Sequence, residues 1–460
     1  MIPLTLAEIA AATGGTLHQA GDPHTVVDGP LSFDSRAVAP GGLFVCLTGR
    51  TLDGHDFAGQ AVRDGARAVL ATRAVDAPAV VVDDVLEAMG RIAAAVASRY
   101  AGTVVALTGS AGKTTTKDIL ATVLALHGPT VANEKSFNNE IGFPVTVSRV
   151  RPDSRYLVLE MGARGIGHIA SLCAVVRPSI ATVLGIGSAH AGEFGSRQAT
   201  ADAKSEIVRA LPANGTAVLF GDDPLTRAMA AVTDAKVLTF GTTPDCDVRA
   251  TQPGVDEHGR PYFSLHHGAA QAHVQLRVHG RHNITNALAA AATAVAAGVP
   301  LDLVVSGLQS AELASGGRME ILPRPDGVTV INDAFNASPE SVLAALDALA
   351  DIAGRDRRRV AVLGEMAELG PDADQWHDTV AEKVIDTGVT HMIGIGGDHA
   401  QRMITNVRAG GVAATEADRA LPLAPQINDL LKPGDVVLVK GANALGLDVM
   451  ARELGAMTAS

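Results

Sequence analysis

A glycine-rich loop connects an apolar, β-branched run at 104–108 to a helical pattern over 114–127. The stretch that contains it reads Leu107-Thr108-Gly109-Ser110-Ala111-Gly112-Lys113-Thr114-Thr115. A glycine-rich loop between a strand and a helix turns several backbone N–H groups toward one point, and the helix start adds roughly half a positive charge. Lys113 is then able to reach the β- and γ-phosphates of a nucleotide, while the Thr114 hydroxyl is able to ligate Mg²⁺. The loop is shorter than the GxxxxGK[ST] pattern of nucleotide-binding loops. The alternative to nucleotide binding is a glycine turn in which the run GKT occurs by chance. The position of the loop between a strand and a helix favours ATP or GTP binding.

Length and composition narrow the class of protein. At ~150 residues per domain, 460 residues predict about three domains. The chain is 47% hydrophobic and 19% charged, which excludes general disorder. A net charge of −12 without a basic tract argues against nucleic-acid or anionic-membrane binding.

The N-terminus and the cysteines indicate a cytoplasmic protein. Residues 1–15 lack a basic segment and contain a Thr5–Glu8 capping box, so we predict a helix there and not a signal peptide. The most apolar long stretch, 287–308, is interrupted by glycine, proline and aspartate, so we predict no transmembrane segment. Three distant cysteines without metal spacing predict reduced, packed thiols.

Strand and helix patterns predict an α/β fold of three domains. Residues 1–101 mix short strands and helices, and residues 102–314 alternate strands with helices, as in a parallel sheet covered on both faces. Residues 247–278 predict an antiparallel patch. The small residues 314–317 predict a hinge, and residues 315–460 predict a second wound α/β unit of the Rossmann-like type.

Further motifs follow the loop in a characteristic order. They are Asn138-Asn139-Glu140-Ile141-Gly142-Phe143-Pro144, Leu159-Glu160-Met161-Gly162, Ser188-Ala189-His190, Ala203-Lys204-Ser205-Glu206-Ile207, Gly280-Arg281-His282-Asn283-Ile284-Thr285-Asn286-Ala287, Gly317-Arg318-Met319-Glu320 and Asn332-Asp333-Ala334-Phe335-Asn336. Their order and spacing resemble the Mur ligases, ATP-dependent amide-forming enzymes of peptidoglycan precursor synthesis. The resemblance covers essentially the whole chain. It implies an acceptor-binding domain at 1–101, an ATP-binding domain at 102–314 and a domain for the incoming amine at 315–460.

Within the family, the chain resembles the enzymes that add a D-alanyl-D-alanine dipeptide to UDP-N-acetylmuramoyl-tripeptide (UDP-MurNAc-tripeptide). The block at 137–144 and the run Leu363-Gly364-Glu365-Met366-Ala367-Glu368-Leu369-Gly370 carry this closer similarity. Met366 and Leu369 are candidates for the dipeptide pocket or, equally, for the core. The chain departs from the family where Lys440-Gly441-Ala442-Asn443 replaces a Lys-Gly-Ser-Arg run.

The resemblance implies that ATP activates a carboxylate as an acyl phosphate, which an amine then attacks. Two anions must approach one another, so two Mg²⁺ ions are expected. The family pattern assigns one ion to Thr114 and Glu160 and the second to His190 and Glu160. It makes Lys204 a carbamate facing the second ion, although on composition alone Lys204 is a solvated helix lysine. The catalytic residues expected are Lys113, Lys204, His190 and Glu160.

The remaining assignments also come from the resemblance. The ATP-binding residues expected are Thr108, Gly109, Ser110, Ala111, Gly112, Lys113, Thr114, Thr115, His282, Asn283, Asn286, Arg318 and Asp333. Arg318 would approach the γ-phosphate and Asp333 the ribose, so domain closure would complete the site. Asn286 opens a predicted helix, and capping is its alternative role. The acceptor-binding residues expected are Ser35, Arg36, Asn138, Asn139 and Glu140.

Three alternatives remain at this point. The first is another ligase of the superfamily, such as a tripeptide-forming Mur enzyme, a folylpolyglutamate synthase or a cyanophycin-type ligase. The second is a non-catalytic nucleotide-binding protein that kept the fold. A P-loop GTPase is the third, and the absence of an NKxD-like run weighs against it. We expect a monomer that acts on small molecules and binds no nucleic acid.

Overall fold

The computed structural model describes residues 1–49, 51–134, 136–187 and 194–457. In these ranges the chain forms three successive α/β units, as predicted, and each unit has its own main sheet. We number strands and helices in chain order. Short 3₁₀ helices lie at Ser35–Ala37, Gly54–Phe57, Ala228–Val232, Gly370–Asp372 and Asn443–Leu445.

The N-terminal unit is small and mixed. Its elements are β1 (Leu4–Thr5), α1 (Leu6–Thr13), β2 (Thr16–His18), β3 (Val26–Val27), β4 (Leu31–Ser32), β5 (Leu43–Val45), α2 (Ala58–Arg63), β6 (Ala68–Ala71), β7 (Ala79–Val81) and α3 (Val85–Ser98). The main sheet has the order β2-β7-β6-β5-β4, and only the β2–β7 pair is antiparallel. The predicted capping box is present, because Thr5 Oγ1 accepts the Glu8 N–H at 3.2 Å and Glu8 Oε2 accepts the Thr5 N–H at 2.7 Å.

The central unit carries the glycine-rich loop. Its strands are β8 (Thr103–Thr108), β9 (Thr130–Ala132), β10 (Tyr156–Glu160), β11 (Ile180–Val183), β12 (Thr216–Phe220), β13 (Lys236–Gly241), β14 (Val248–Val255), β15 (Pro261–His267) and β16 (Ala270–Gln275). Its helices in the described ranges are α4 (Lys113–Ala125), α5 (Gly142–Ser148), α6 (His168–Val175), α7 (Arg197–Arg209), α8 (Pro224–Arg227), α9 (Asn283–Ala296) and α10 (Leu301–Ser310).

The central sheet explains the position of the loop. Among the described strands the order is β16-β15-β14-β13-β12-β11-β8-β10-β9, parallel from β9 to β14. Strand β8 lies between β10 and β11, so the strand order reverses beside it. Ligands of α/β sheets bind at such a switch point, at the carboxyl ends of the strands. The β14-β15-β16 edge is antiparallel, as predicted for residues 247–278.

The C-terminal unit is a second wound sheet. Its elements are β17 (Glu320–Pro323), β18 (Thr329–Asn332), α11 (Pro339–Ala353), β19 (Arg359–Gly364), α12 (Ala373–Asp386), β20 (His391–Ile395), α13 (Asp398–Ala409), β21 (Ala413–Glu416), α14 (Leu423–Asn428), β22 (Val436–Lys440) and α15 (Leu447–Ala456). The order is β17-β18-β22-β19-β20-β21, with only β17–β18 antiparallel. Met366 and Leu369 are buried in its apolar core, which favours the core alternative for both.

The units differ in how they join. The N-terminal and central units share one apolar cluster, in which Leu31 and Val45 belong with Phe143 and Val147. Among the described residues, the apolar clusters of the C-terminal unit contain no residue of the other two units. Polar contacts such as the Arg281–Asp351 ion pair, at 2.8 Å, join it to the central unit instead. No helix in the described ranges has the length and apolar character needed to cross a membrane.

Candidate active site

The glycine-rich loop connects β8 to α4. Gly112 precedes the first residue of α4 and has φ +79°, a left-handed conformation that favours glycine. A Cβ atom at this position would lie 2.2 Å from Asn286 Oδ1, so the loop also needs glycine for space. Lys113 Nζ donates to the Gly109 carbonyl at 2.8 Å. Burial lowers the pKa of Lys113, and the nearby Glu160 carboxylate opposes that shift.

Glu160 ends β10, next to the start of α4, and its side chain is buried. Its two carboxylate oxygens accept hydrogen bonds from Thr114 Oγ1 at 2.9 Å and from Asn138 Nδ2 at 2.7 Å. The Glu160 backbone N–H donates to Asn133 Oδ1 at 2.6 Å, which ties the end of β10 to the loop that follows β9. A buried carboxylate beside a hydroxyl is an oxygen donor set of the kind that Mg²⁺ binds.

Arg318 reaches this centre from the C-terminal unit. Its Nη2 donates to Ser136 Oγ at 2.9 Å, and Ser136 Oγ lies 3.0 Å from Thr114 Oγ1. The guanidinium lies over the Phe335 ring, 4.1 Å from its centroid. Burial lowers the pKa of Arg318, and the Glu160 carboxylate opposes the shift. Sequence reasoning missed Ser136, because an isolated serine carries no motif.

Lys204 lies on α7 with 2% of its surface exposed. The interpretation of Lys204 as a solvated helix lysine is therefore wrong. Burial, reinforced by the positive charge of Lys113, lowers its pKa to about 7. Among the described residues its ammonium has no hydrogen-bond or ion-pair partner, so nothing there offsets the desolvation. His190, the other predicted ligand of the second ion, lies outside the described residues.

His282, Asn283 and Asn286 form a polar group at the start of α9. The helix begins at Asn283, so Asn286 does not cap it. Asn286 Nδ2 donates to Asn283 Oδ1 at 2.7 Å, and Asn283 Nδ2 donates to the His279 carbonyl at 2.7 Å. The buried His282 Nδ1 has no hydrogen-bond partner among the residues that the structure describes. Burial lowers the pKa of His282, which keeps the ring neutral at pH 7.

Asp333 follows β18 and faces Lys440 at the end of β22. The two side chains form an ion pair of 2.6 Å, and Lys440 is 3% exposed. Lys440 Nζ also donates to the Asn336 carbonyl at 3.0 Å, while Asp333 Oδ1 accepts the Met319 N–H at 3.1 Å. Sequence reasoning missed Lys440 as a site residue. Lysine usage was an available clue, because the chain has eight lysines against twenty-nine arginines.

A cleft of about 1230 Å³ unites most of the predicted residues. Its walls include Ser110, Ala111, Gly112, Lys113, Thr114, Thr115, Asn138, Asn139, Glu140, Glu160, His282, Asn283, Asn286, Arg318 and Asp333. Thr108, Gly109 and Lys204 lie outside this lining, and the Thr108 hydroxyl donates to the Met161 carbonyl at 2.9 Å, so its side chain joins neighbouring strand ends.

Ser35 and Arg36 do not line the cleft. The Arg36 side chain is 88% exposed and forms an ion pair with Asp34 at 2.8 Å. The segment still lies close to the site, since the Phe33 ring is 6.1 Å from that of Phe137, which precedes Asn138. Asn443, the departure from the family pattern, is exposed.

The residues of the centre fit Mg²⁺. Thr114 and Glu160 offer a hydroxyl and a carboxylate, and within the described ranges no group of three or more His, Cys, Asp or Glu side chains is placed to hold a metal ion. Mg²⁺ keeps several waters and commonly completes its coordination with substrate phosphates, so a small protein donor set beside a phosphate loop suits it better than a closed cage would.

Three protein-family models match successive parts of the chain. Residues 30–97 match the Mur ligase family catalytic domain, residues 107–294 match the Mur ligase middle domain, and residues 317–443 match the Mur ligase glutamate ligase domain. The middle-domain match contains the glycine-rich loop, Glu160 and Lys204.

Similar proteins extend over the full length. The UDP-N-acetylmuramoyl-tripeptide–D-alanyl-D-alanine ligase of Mycobacterium tuberculosis is 42% identical, over 99% of this chain and 98% of the relative. The ligase of the same name from Escherichia coli is 35% identical over 99% of both chains.

Solved structures of these ligases are also similar to this chain over nearly its full length. One MurF crystal structure from Acinetobacter baumannii has a TM-score of 0.86 at 30% identity over 99% of both chains. The MurF ligase of Thermotoga maritima in complex with ADP has a TM-score of 0.78 at 27% identity, over 93% of this chain and 97% of that one. The chain therefore belongs to the Mur ligase family.

Proposed function

We propose that this protein joins the terminal carboxylate of UDP-MurNAc-tripeptide to the amine of D-alanyl-D-alanine, with ATP converted to ADP and phosphate, during peptidoglycan precursor synthesis. The observation that carries the proposal is the agreement of full-length similarity to ligases of that name with a cleft that joins the phosphate loop, Glu160 and Arg318. A protein that only bound nucleotide would have little use for a buried carboxylate and an interdomain arginine at the phosphate end.

The chemistry has two steps. A carboxylate oxygen of the tripeptide attacks the γ-phosphorus of ATP, the bond from that phosphorus to the β–γ bridging oxygen breaks, and ADP leaves. The neutral amine of the dipeptide then attacks the acyl carbon, the bond from that carbon to the phosphate oxygen breaks, and inorganic phosphate leaves as the nitrogen loses a proton. Lys113, Arg318 and the N-terminus of α4 supply the positive charge that the first step requires.

One Mg²⁺ would be held by Thr114 and Glu160, and a second by His190 and Glu160, with a carbamate on Lys204 facing this second ion. When bound, the two ions would offset the repulsion between the carboxylate and the phosphates. A carbamate forms when the neutral amine attacks CO₂ and loses a proton, so the pKa of about 7 for Lys204 supports this assignment.

The nucleotide and acceptor roles follow the family pattern. His282, Asn283 and Asn286 would hold the adenine, Asp333 the ribose and Arg318 the γ-phosphate. The loop from Thr108 to Thr115 would hold the phosphates.

Ser35 and Arg36 would bind the diphosphate of the acceptor, and Asn138, Asn139 and Glu140 would face its reacting end. We propose domains at 1–101, 102–314 and 315–460, the last receiving the dipeptide, in a monomeric cytoplasmic enzyme.

The test is ADP release by the purified protein with ATP, Mg²⁺ and matched substrate pairs. We expect ADP formation with UDP-MurNAc-tripeptide plus D-alanyl-D-alanine, and none with the tripeptide plus single amino acids. Turnover of UDP-MurNAc-dipeptide with a single amino acid would make the protein a tripeptide-forming ligase instead, and turnover of a folate with glutamate would make it a folylpolyglutamate synthase.

A further inference from the structure

The junction between the central and C-terminal units is polar. Their apolar clusters are separate in the described ranges, and polar contacts such as the Arg281–Asp351 ion pair join the two units. Intrachain interfaces without a large apolar area allow domain motion by default. In such a junction, a buried polar contact at the hinge is one way to fix the position of Arg318.

Such a contact starts on α4, directly behind the phosphate loop. Lys117 and Asp118 are adjacent in sequence, their side chains are 2% and 4% exposed, and their charged atoms lie 2.6 Å apart. Adjacent helical residues point in different directions. Each member of the pair therefore also contacts a different part of the structure.

Asp118 contacts the hinge. Its Oδ2 accepts the backbone N–H of Ser315 at 3.0 Å, and Ser315 is itself buried. Ser315 comes three residues before Arg318, within the segment that connects the central unit to β17. Asp118 thus holds the backbone from which Arg318 extends toward Ser136.

Lys117 contacts the other side of the centre. Its Nζ donates to the Asn133 carbonyl at 2.7 Å, and the side-chain oxygen of Asn133 accepts the Glu160 N–H. Asn133 Nδ2 also donates to the Phe137 carbonyl, which shapes the loop that contains Ser136. The loop that holds Glu160 and receives Arg318 is therefore fastened to the same ion pair as the hinge.

We propose that Asp118, paired with Lys117, is a positioning residue that fastens the Ser315 hinge to the phosphate-loop helix and so sets Arg318 against the Thr114–Glu160 centre. The catalytic consequence rests on the proposed function of that centre, whereas the hinge contact does not. An apolar pair of similar volume would pack in this site without the desolvation cost of two charges. The hydrogen bond to a backbone N–H of another unit gives the charged pair a geometric role that an apolar pair would lack.

The test compares two double variants that both remove the buried charges. Lys117→Met/Asp118→Asn keeps a side-chain oxygen for the Ser315 N–H, and Lys117→Met/Asp118→Leu does not. Both lose the Lys117 bond to Asn133, so they differ in the hinge contact. Amide hydrogen exchange of the hinge, thermal unfolding, and kcat and KM for ATP in the ADP-release assay are measured on the full-length proteins.

We expect the Leu variant to show faster exchange of the Ser315 amide and a lower kcat than the Asn variant, each by about tenfold, the usual order for one lost hydrogen bond. The KM for ATP should change little, because the loop itself is unaltered. Equal exchange and equal kcat in the two variants would overturn the proposal. Should neither variant fold, the wild-type protein decides: a protected Ser315 amide supports the contact, and exchange at the rate of an open chain refutes it.

Failure of the proposed centre has a different signature. If Glu160→Gln kept full activity, the assignment of the catalytic centre would be wrong. The difference in hinge exchange between the two double variants would still stand, because it does not depend on turnover.

Discussion

Lys204→Arg tests whether catalysis needs a neutral amine on α7. The pKa of Lys204 is about 7, so a substantial part of this side chain is uncharged at neutral pH. Arginine has a similar length but stays protonated in proteins and forms no carbamate under these conditions. Its larger guanidinium must also enter a site with 2% exposure. We expect kcat to fall by about 10³-fold, the order seen when one group that stabilises transition-state charge is removed.

The pH dependence of the wild-type enzyme follows from the same pKa. With a pKa of about 7, the neutral fraction is about nine tenths at pH 8 and about one tenth at pH 6. Lowering the pH therefore removes the reactive form, because a lysine whose pKa is depressed regains its proton as pH falls through that value. Carbamate formation also releases a proton, which acts in the same direction. The bicarbonate concentration for half-maximal activity should be at least about tenfold higher at pH 6 than at pH 8.

The assay is ADP release in decarbonated buffer, with bicarbonate added back at pH 6, 7 and 8. Lys236→Arg is the matched control, since Lys236 is exposed at the start of β13. Full activity of Lys204→Arg would refute the role of the amine. Wild-type activity independent of bicarbonate at pH 6 would refute the carbamate while leaving a role for the neutral lysine.

Three further perturbations test the rest of the centre. Glu160→Gln keeps the shape but removes the buried charge, and we expect kcat to fall by about 10³-fold with a higher Mg²⁺ requirement, measured by Mg²⁺ titration of ADP release; a change of only a few-fold would contradict the assignment. Gly112→Ala should abolish ATP binding measured by calorimetry, because the added Cβ would lie 2.2 Å from Asn286 Oδ1. Gly411→Ala is the control. Its φ of +81° gives the same backbone strain, but the space around it is open, so this variant should bind ATP normally. Arg318→Lys loses the planar guanidinium, so we expect kcat to fall about tenfold or more in steady-state assays while the KM for ATP changes less. A rise in KM by the same factor as the fall in kcat would argue against a role of Arg318 in phosphoryl transfer.

Local sequence patterns were sufficient to predict the fold class and the individual helices, strands and turns. Buried parallel strands such as β8 and β10 are nearly continuous apolar runs, and glycine at 112 marks a turn that other residues adopt at a cost. The Thr5–Glu8 capping box lies within a single helical turn. Each of these features depends on residues a few positions apart, so the sequence contains the whole interaction.

The chemistry of the centre depends on residues that are distant in sequence. Arg318 meets Ser136 across 182 positions, and Lys440 meets Asp333 across 107. Their proximity results from strand order and from the placement of the C-terminal unit, which no local pattern encodes. The family resemblance could name Arg318 and Asp333, but it did not name the partners that hold them.

Lys204 shows most clearly the difference between what the sequence specifies and what depends on the folded structure. The sequence predicts a lysine on a helix after the glycine-rich loop, and the motif around this lysine resembles that of the Mur ligases. Whether that lysine is an ordinary surface cation or an amine with a pKa of about 7 depends on how much water reaches it. Desolvation is a property of everything packed around the ammonium, and the positive charge of Lys113 on another helix lowers the pKa further, so the low pKa arises only when the chain has folded.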